Sequence, residues 1–268
     1  MPARINHVAI CSDYYATNAR FYEALFGMRG GSKPRPARAV SLGDGHVGLN
    51  NIPRRDGRRS GLDHFGIEVD DIETTLARMK AFDPTLETVK RPAVRPYAAY
   101  STHDPDANVF DLSQKNIGVQ KDVFAENEWE QPRFLSHITL RTRHPERCAA
   151  FYEEVFDLRP TTPGDGAFGL SDGRVTLVIL PWHISDYLDQ DPAPVGLEHI
   201  GFTVENLGAF RHDLDEIAGI NPQMITRPLG LGAEGEARLK LFQTCPAGTF
   251  HLTDIEGVYI DVNERASA

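Results

Sequence analysis

The stretch GLDHFGIEVDD (Gly61–Asp71) returns later in the chain as GLEHIGFTVEN (Gly196–Asn206), each copy opening an apolar strand on a histidine, His64 and His199. Working outward, INHVAICSDYYATNARFYEALFGMR (Ile5–Arg29) matches LSHITLRTRHPERCAAFYEEVFDLR (Leu135–Arg159), which sets His7 on His137 and FYEALF on FYEEVF. VSLGDGHVGLNNIP meets FGLSDGRVTLVILP, and HDPDANVFDLSQ meets TDIEGVYIDVNE, which sets Asp111 on Asp261. Five blocks matching in one order identify a duplicated module. The expected boundaries are 1–115 and 133–268, with a polar joint at 116–132.

Both modules read alike element by element. HVAI and HITL are short strands of β-branched and apolar residues. A helix follows each, with Phe21, Tyr22, Leu25 and Phe26, or Phe151, Tyr152, Val155 and Phe156, at helical spacing. Short strands separated by Gly and Asp-Gly turns come next. The order then repeats from HFGIEV and HIGFTV, with helices over DIETTLARMKAF and LGAFRHDLDEIAG. Each module is therefore two βαβββ units and the chain holds four, an α+β class.

The 268 residues, 41% hydrophobic and 25% charged, are those of a soluble globular chain, with no run long enough to span a bilayer. Cys11, Cys148 and Cys245 are too scattered for a disulfide framework or a cysteine zinc site, and the N-terminus lacks a secretory pattern, so a cytoplasmic address is expected. A net charge of −10 argues against a nucleic-acid partner. The cluster RRDGRR (Arg54–Arg59) is the exception; it reads as a solvated loop or as a carboxylate-binding or interface loop.

A single strand-opening histidine is ordinarily a hydrogen-bonded structural residue. Here His7, His64 and Asp111 recur as His137, His199 and Asp261 at matched places, while most other polar positions have diverged. Each aspartate is flanked by apolar residues and so faces the opposite side of its strand from them. A carboxylate buried there requires a metal, a cation or water. Two histidines and one carboxylate form a facial triad with open positions, suited to Fe(II), Mn, Co, Ni or Zn.

The paired βαβββ units, the strand-opening DHFGIEVDD and the closing HDPDANVFDL resemble the vicinal oxygen chelate superfamily of glyoxalases, bleomycin resistance proteins and extradiol dioxygenases. The resemblance covers nearly the whole chain and implies two half-barrel cups. It also implies that His7, His64 and Asp111, and again His137, His199 and Asp261, are metal ligands. Glyoxalase-like members add a carboxylate from the strand closing the first unit, here VGLNN or VTLVIL, and neither offers an acid. Extradiol dioxygenases carry a further histidine some fifteen residues before the second metal histidine, and His183 lies sixteen before His199. They also place a tyrosine ten residues before the carboxylate, where this chain has His251. The implied catalytic residues are thus His183 and His251.

The activity expected on this resemblance is a non-heme Fe(II) dioxygenase that opens the ring of a small aromatic vicinal diol with O2. Mn, Ni, Co or Zn is the alternative metal. Aromatic residues such as Tyr97, Trp182 and Tyr187 suit such a substrate and suit a plain core equally well. The rival readings are a divalent-metal isomerase, epimerase or lyase of glyoxalase type, and a resistance-type binder without catalysis. A homo-oligomer is expected.

Overall fold

The computed structural model describes residues 3–30, 39–93, 97–114, 130–164, 166–183, 195–221, 224, 232–242 and 248–266. Tyr187, Cys245 and residues 115–129, which hold most of the expected joint, lie outside the described residues. The first module runs β1 (Arg4–Ser12), α1 (Tyr15–Phe26), β2 (Arg29–Gly30), β3 (Val40–Gly43), β4 (Gly48–Pro53), β5 (Gly61–Val69), α2 (Ile72–Phe82), β6 (Thr88–Lys90), β7 (Tyr100–His103) and β8 (Val109–Gln114). The second runs β9 (Phe134–Thr142), α3 (Pro145–Phe156), β10 (Arg159–Thr161), β11 (Phe168–Ser171), β12 (Thr176–Pro181), β13 (Gly196–Val204), α4 (Leu207–Ile220), α5 (Gly232–Phe242), β14 (Phe250–Thr253) and β15 (Tyr259–Glu264).

The duplicated stretch is β5 and β13, and its last residue starts the helix that follows. Asp71 Oδ1 accepts from the Glu73 and Thr74 amides at 3.0 and 3.1 Å, and Asn206 Oδ1 from Ala209 at 2.9 Å. Such caps stabilise a helix start by about 1 kcal/mol. One element departs from expectation. The fourth unit carries the helix α5, and among the described residues only two strands close it. Its GAEGEARLKLF supplies Ala, Glu, Arg, Leu and Lys, which favour helix over strand.

Strand order explains the cups. The first sheet runs β2-β3-β4-β1-β5-β8-β7-β6 and the second β10-β11-β12-β9-β13-β15-β14. In each unit the opening strand pairs parallel with the closing one. The two opening strands of a module pair antiparallel, β1 with β5 and β9 with β13. Each sheet is therefore two units related by a local two-fold axis between its opening strands, and its twist curls it into a half-barrel. Alternation along the strands then sorts the side chains. Phe65, Ile67, Phe110 and Leu112 are fully buried on the convex side against the helices, whereas His64, Gly66 and Asp111 take the concave side.

The convex sides of both modules share one core. Phe26 of α1 stacks on Phe202 of β13 with centroids 3.9 Å apart, and Phe110 of β8 packs against Phe151, Tyr152 and Phe156 of α3. Burying one such ring contributes about 1.5–3 kcal/mol.

Four turn aspartates then join the modules reciprocally. Asp44 Oδ2 accepts from the Leu135 amide and Asp172 Oδ2 from the Ile5 amide, both at 2.9 Å. Tyr22 donates its hydroxyl to Asp254 at 3.0 Å and Tyr152 to Asp104 at 3.2 Å. Burial pushes the carboxyls of Asp104 and Asp254 up, that of Asp254 to about 6. The matched Asp-Gly turns and FYE helices of the repeat thus serve as a clasp between its two copies. No helix among the described residues is long and apolar enough to cross a membrane.

Candidate metal centres

Each cup gathers one histidine from each opening strand and the aspartate of the last strand. The donor atoms of His7, His64 and Asp111 lie within 4.8 Å of one another, as do those of His137, His199 and Asp261. The register accounts for this. His7 faces Gly66 across β1 and β5, and Asp111 lies beside Gly66 on β8. The second module repeats it with His137, Gly201 and Asp261. The glycines are needed because a Cβ at Gly66 would sit 2.1 Å from His7 Cε1, and one at Gly201 would sit 1.8 Å from His137 Cε1. Gly248 likewise leaves room for the Asp261 carboxylate, which a Cβ there would meet at 1.1 Å.

In the first cup the His7 and His64 rings stand edge to face, 5.4 Å apart, and His64 Nε2 is 3.3 Å from Asp111 Oδ2. Ser101 donates a short hydrogen bond to Asp111 Oδ1, and Tyr97 leans on His7 with centroids 5.8 Å apart. Burial first, then the charge of His64, holds His7 down at about 3. Burial also pulls His64 down, but its hydrogen bonds to Asp111 and Asp63 and their charges outweigh this and raise it to about 9.

In the second cup the rings are 5.7 Å apart at 88°. His137 Nε2 lies 3.3 Å, and His199 Nε2 3.8 Å, from Asp261 Oδ2. Thr139 Oγ1 is 3.0 Å from His199 Nε2. Burial keeps His199 below its ordinary value, so it is neutral at pH 7.

The donors fit a divalent ion. Both oxygens of Asp261, which is fully buried, and the Nε2 atoms of His7 and His137 have no hydrogen-bond partner among the described residues. The 3.3 and 3.8 Å approaches to Asp261 therefore bring the right atoms together without satisfying them. A buried carboxylate left so costs several kcal/mol, which a cation offsets. Imidazole and carboxylate suit a first-row divalent metal.

One acid stands directly behind the second histidine of each cup. Asp63 Oδ2 accepts from His64 Nδ1 at 2.7 Å, and Glu198 Oε2 from His199 Nδ1 at 2.9 Å. Each fixes the ring with Nε2 toward the centre. Arg58 holds Asp63 at 2.9 Å from an exposed position, whereas the buried Arg141 makes a short ion pair with Glu198. Burial pushes Glu198 up, but His199 and Arg141 outweigh it and keep the carboxyl ionised. Sequence reasoning missed this pair, although DH and EH in the duplicated stretch carry it.

The local two-fold also locates a fourth position in each cup. Asn50 on β4 lies beside Ala9, which faces His64, and so is the mate of Asp111; it is buried, with Oδ1 unpartnered among the described residues. In the second cup the same place, beside Thr139 and His199, is held by Val178. His251 pairs with Asp261 across β14 and β15 and brings Nε2 to 3.7 Å from Oδ1. His183 lies two residues past β12, exposed and outside both donor groups. His103 is occupied with the Glu87 amide and the Asp104 carbonyl.

The family model of the Glyoxalase/Bleomycin resistance protein/Dioxygenase superfamily matches residues 4–112 and 134–228. No curated protein matches the chain. Among solved structures, a mutant 4-hydroxymandelate synthase from Streptomyces coelicolor is 14% identical with a TM-score of 0.63, covering 100% of this chain and 94% of its own. A Mn(II)-bound glyoxalase from Novosphingobium aromaticivorans is 16% identical at 0.61, covering 97% and 81%. The 2,3-dioxygenase LapB from Pseudomonas sp. KL28 is 15% identical at 0.62, covering 98% and 92%. At such identities the likeness is one of fold. Two modules of this fold, each with its own matched stretch, make the chain a member of the Glyoxalase/Bleomycin resistance protein/Dioxygenase superfamily.

Proposed function

We propose that the chain is a metal-dependent dioxygenase that opens a small aromatic vicinal diol with O2, and that the second cup is its reaction site. The observation that carries this reading is the fully buried Asp261 carboxylate. Neither of its oxygens has a hydrogen-bond partner among the described residues, it faces two histidines, and the apolar Val178 occupies the fourth place. His137, His199 and Asp261 would hold the ion through two imidazoles and one carboxylate. A divalent ion there, Fe(II) first, would supply Lewis acidity toward the diol and an electron path to oxygen.

The chain's own residues do the rest. Val178 and the convex core exclude water on one side, and Glu198 holds His199 with its Nε2 forward. His251 Nε2, beside Asp261, takes and holds a diol proton, a step that contributes about 10²–10⁴-fold when a base is so placed. His183, exposed two residues past β12, would meet the substrate before it enters the cup. Both atoms of O2 enter the product, in which one ring C–C bond has broken to leave a carboxylate and a carbonyl. The glyoxalase-type alternative needs a base on the closing strand. Asn50 and Val178 stand there, and neither takes up a proton.

The test is the metal content of protein purified without oxygen, followed by oxygen uptake with a set of catechols. Iron lost in Asp261→Ala together with catechol-dependent uptake is the expected result. Zinc, nickel or manganese with no uptake would move the reaction to isomerase or lyase chemistry. Protein with no metal would leave a binder.

A further inference from the structure

The antiparallel pairing of the opening strands, β1 with β5 and β9 with β13, slips twice in each module. Ile5 faces Ile67 and His7 faces Gly66, so Asn6 is an extra residue on β1. Ala9 faces His64 and Ile10 faces Leu62, so Asp63 is an extra residue on β5. Ser136 on β9 and Glu198 on β13 are skipped in the same way. Each of these four residues immediately precedes a histidine of the two metal groups. In a regular strand that neighbour would face away from the histidine, toward the helices. A bulge re-aims it. Asn6 Oδ1 accordingly stands on the concave side, 2.8 Å from where a Cβ at Gly66 would lie.

All four bulge residues reach Nδ1 of the histidine that follows. Asp63 and Glu198 do so at the second histidine of each cup, as carboxylates. At the first histidine the neighbour is neutral. Asn6 Oδ1 lies 2.7 Å from His7 Nδ1, and Ser136 Oγ lies 3.4 Å from His137 Nδ1. These two braces differ in kind. Asn6 is buried and held from its far end, where its Nδ2 donates to the Oγ of the buried Ser113 at 3.0 Å. An amide oxygen can only accept, which puts the His7 proton on Nδ1 and leaves Nε2 bare. That Nε2 has no hydrogen-bond partner among the described residues. The Ser136 hydroxyl is at the long end of hydrogen-bond range and can donate as readily as accept. Two residues past each aspartate the order is reversed, with Ser113 in the first module and Asn263 in the second. Amide and hydroxyl have changed strands between the copies.

We propose that Asn6 and Ser136 are the positioning residues of the first histidine in each cup, Asn6 locking the His7 proton on Nδ1 and Ser136 leaving that of His137 unfixed from its side. Each cup then has one histidine polarised by an acid and one whose hold on a metal is set by a neutral bulge residue. The looser of the two neutral braces belongs to the second cup. The inference rests on the reading that the cups hold a divalent ion, and not on the reaction proposed for the second.

The test is nitrogen NMR of the imidazole rings in the metal-free full chain, followed by chelator competition for Zn(II). His7 shows the Nδ1-protonated tautomer alone in the wild type, a mixture in Asn6→Ala, and the first tautomer again in Asn6→Asp. In an Asp261→Ala background, which leaves the first cup to load, Asn6→Ala weakens Zn(II) binding by about tenfold. Asn6→Asp keeps the affinity there, and Ser113→Ala gives a smaller loss. In an Asp111→Ala background, Ser136→Asn tightens the second cup and Ser136→Ala changes it by less than about twofold. A His7 tautomer or a first-cup affinity that ignores Asn6→Ala overturns the proposal. So does a loss that Asn6→Asp fails to recover, which marks a packing role. A chain that takes up no Zn(II) in either cup sinks the metal reading, and the tautomers then decide the proposal by themselves.

Discussion

The two cups are built on one plan and differ in how finished their chemistry is without a metal. In the second, all three donors are buried, His199 is neutral, and a buried Arg141–Glu198 pair braces it. In the first, the side chains of His64 and Asp111 keep 20% and 12% of their exposure. His64 there is protonated at neutral pH, and its brace runs through Asp63 to an exposed arginine. Duplication has thus left one site closed, with three donors, and one more open, with an amide in a fourth place. The same fold can hold a metal in two electrostatic settings, and a few residues at matched positions set the difference.

The sharpest way to break the comparison is to remove one carboxylate at a time. Asp261→Ala and Asp111→Ala should each lower metal content by one equivalent per chain, read by elemental analysis. Only Asp261→Ala should also abolish oxygen uptake. Gly201→Ala should match Asp261→Ala, because its Cβ displaces the His137 ring.

The braces come next. Glu198→Gln should weaken the second cup's hold on metal by about 10–100-fold in chelator competition. Asp63→Asn should cost the first cup less, since its anchor is exposed.

Acidity gives a smaller and more specific contrast. His64 is raised from 6.5 to about 9, so the metal-free fold gains stability from its proton below pH 6.5 and loses it as pH rises through 9. Its melting temperature should fall across that window. Metal affinity of the first cup should rise there by about tenfold per pH unit, because uptake releases the His64 proton. The second cup should show no such slope, which titration in Asp111→Ala would check. The smallest expected effect is that of exchanging the fourth positions. Asn50→Val should weaken the first cup by about fivefold in the same chelator competition, while Val178→Asn should tighten the second and slow its oxygen uptake.

Much of this was legible because the chain states it twice. The repeat of Gly61–Asp71 located the opening strands, and the alternation around Asp111 and Asp261 turned those acids inward. What escaped depends on register between strands distant in sequence. Asn50 and Val178 are mates of the aspartates only through pairings with Ala9 and Thr139. Among the described residues helix α5 has no counterpart in the first module, so symmetry between the copies does not predict it. His183 stands exposed two residues past β12, a place that spacing along the chain does not fix.

The crossed hydrogen bonds of Asp44, Asp172, Asp104 and Asp254 bear on ancestry. Each module offers acceptor turns, and a strand amide and a tyrosine hydroxyl as donors, to the other, and the exchange is mutual. That is the grammar of an isologous interface, in which one patch serves both partners. A single ancestral module with these features would have paired with its own copy. One half of the chain expressed alone would carry two unmet turns and a bare aromatic face, and it should seek a second half.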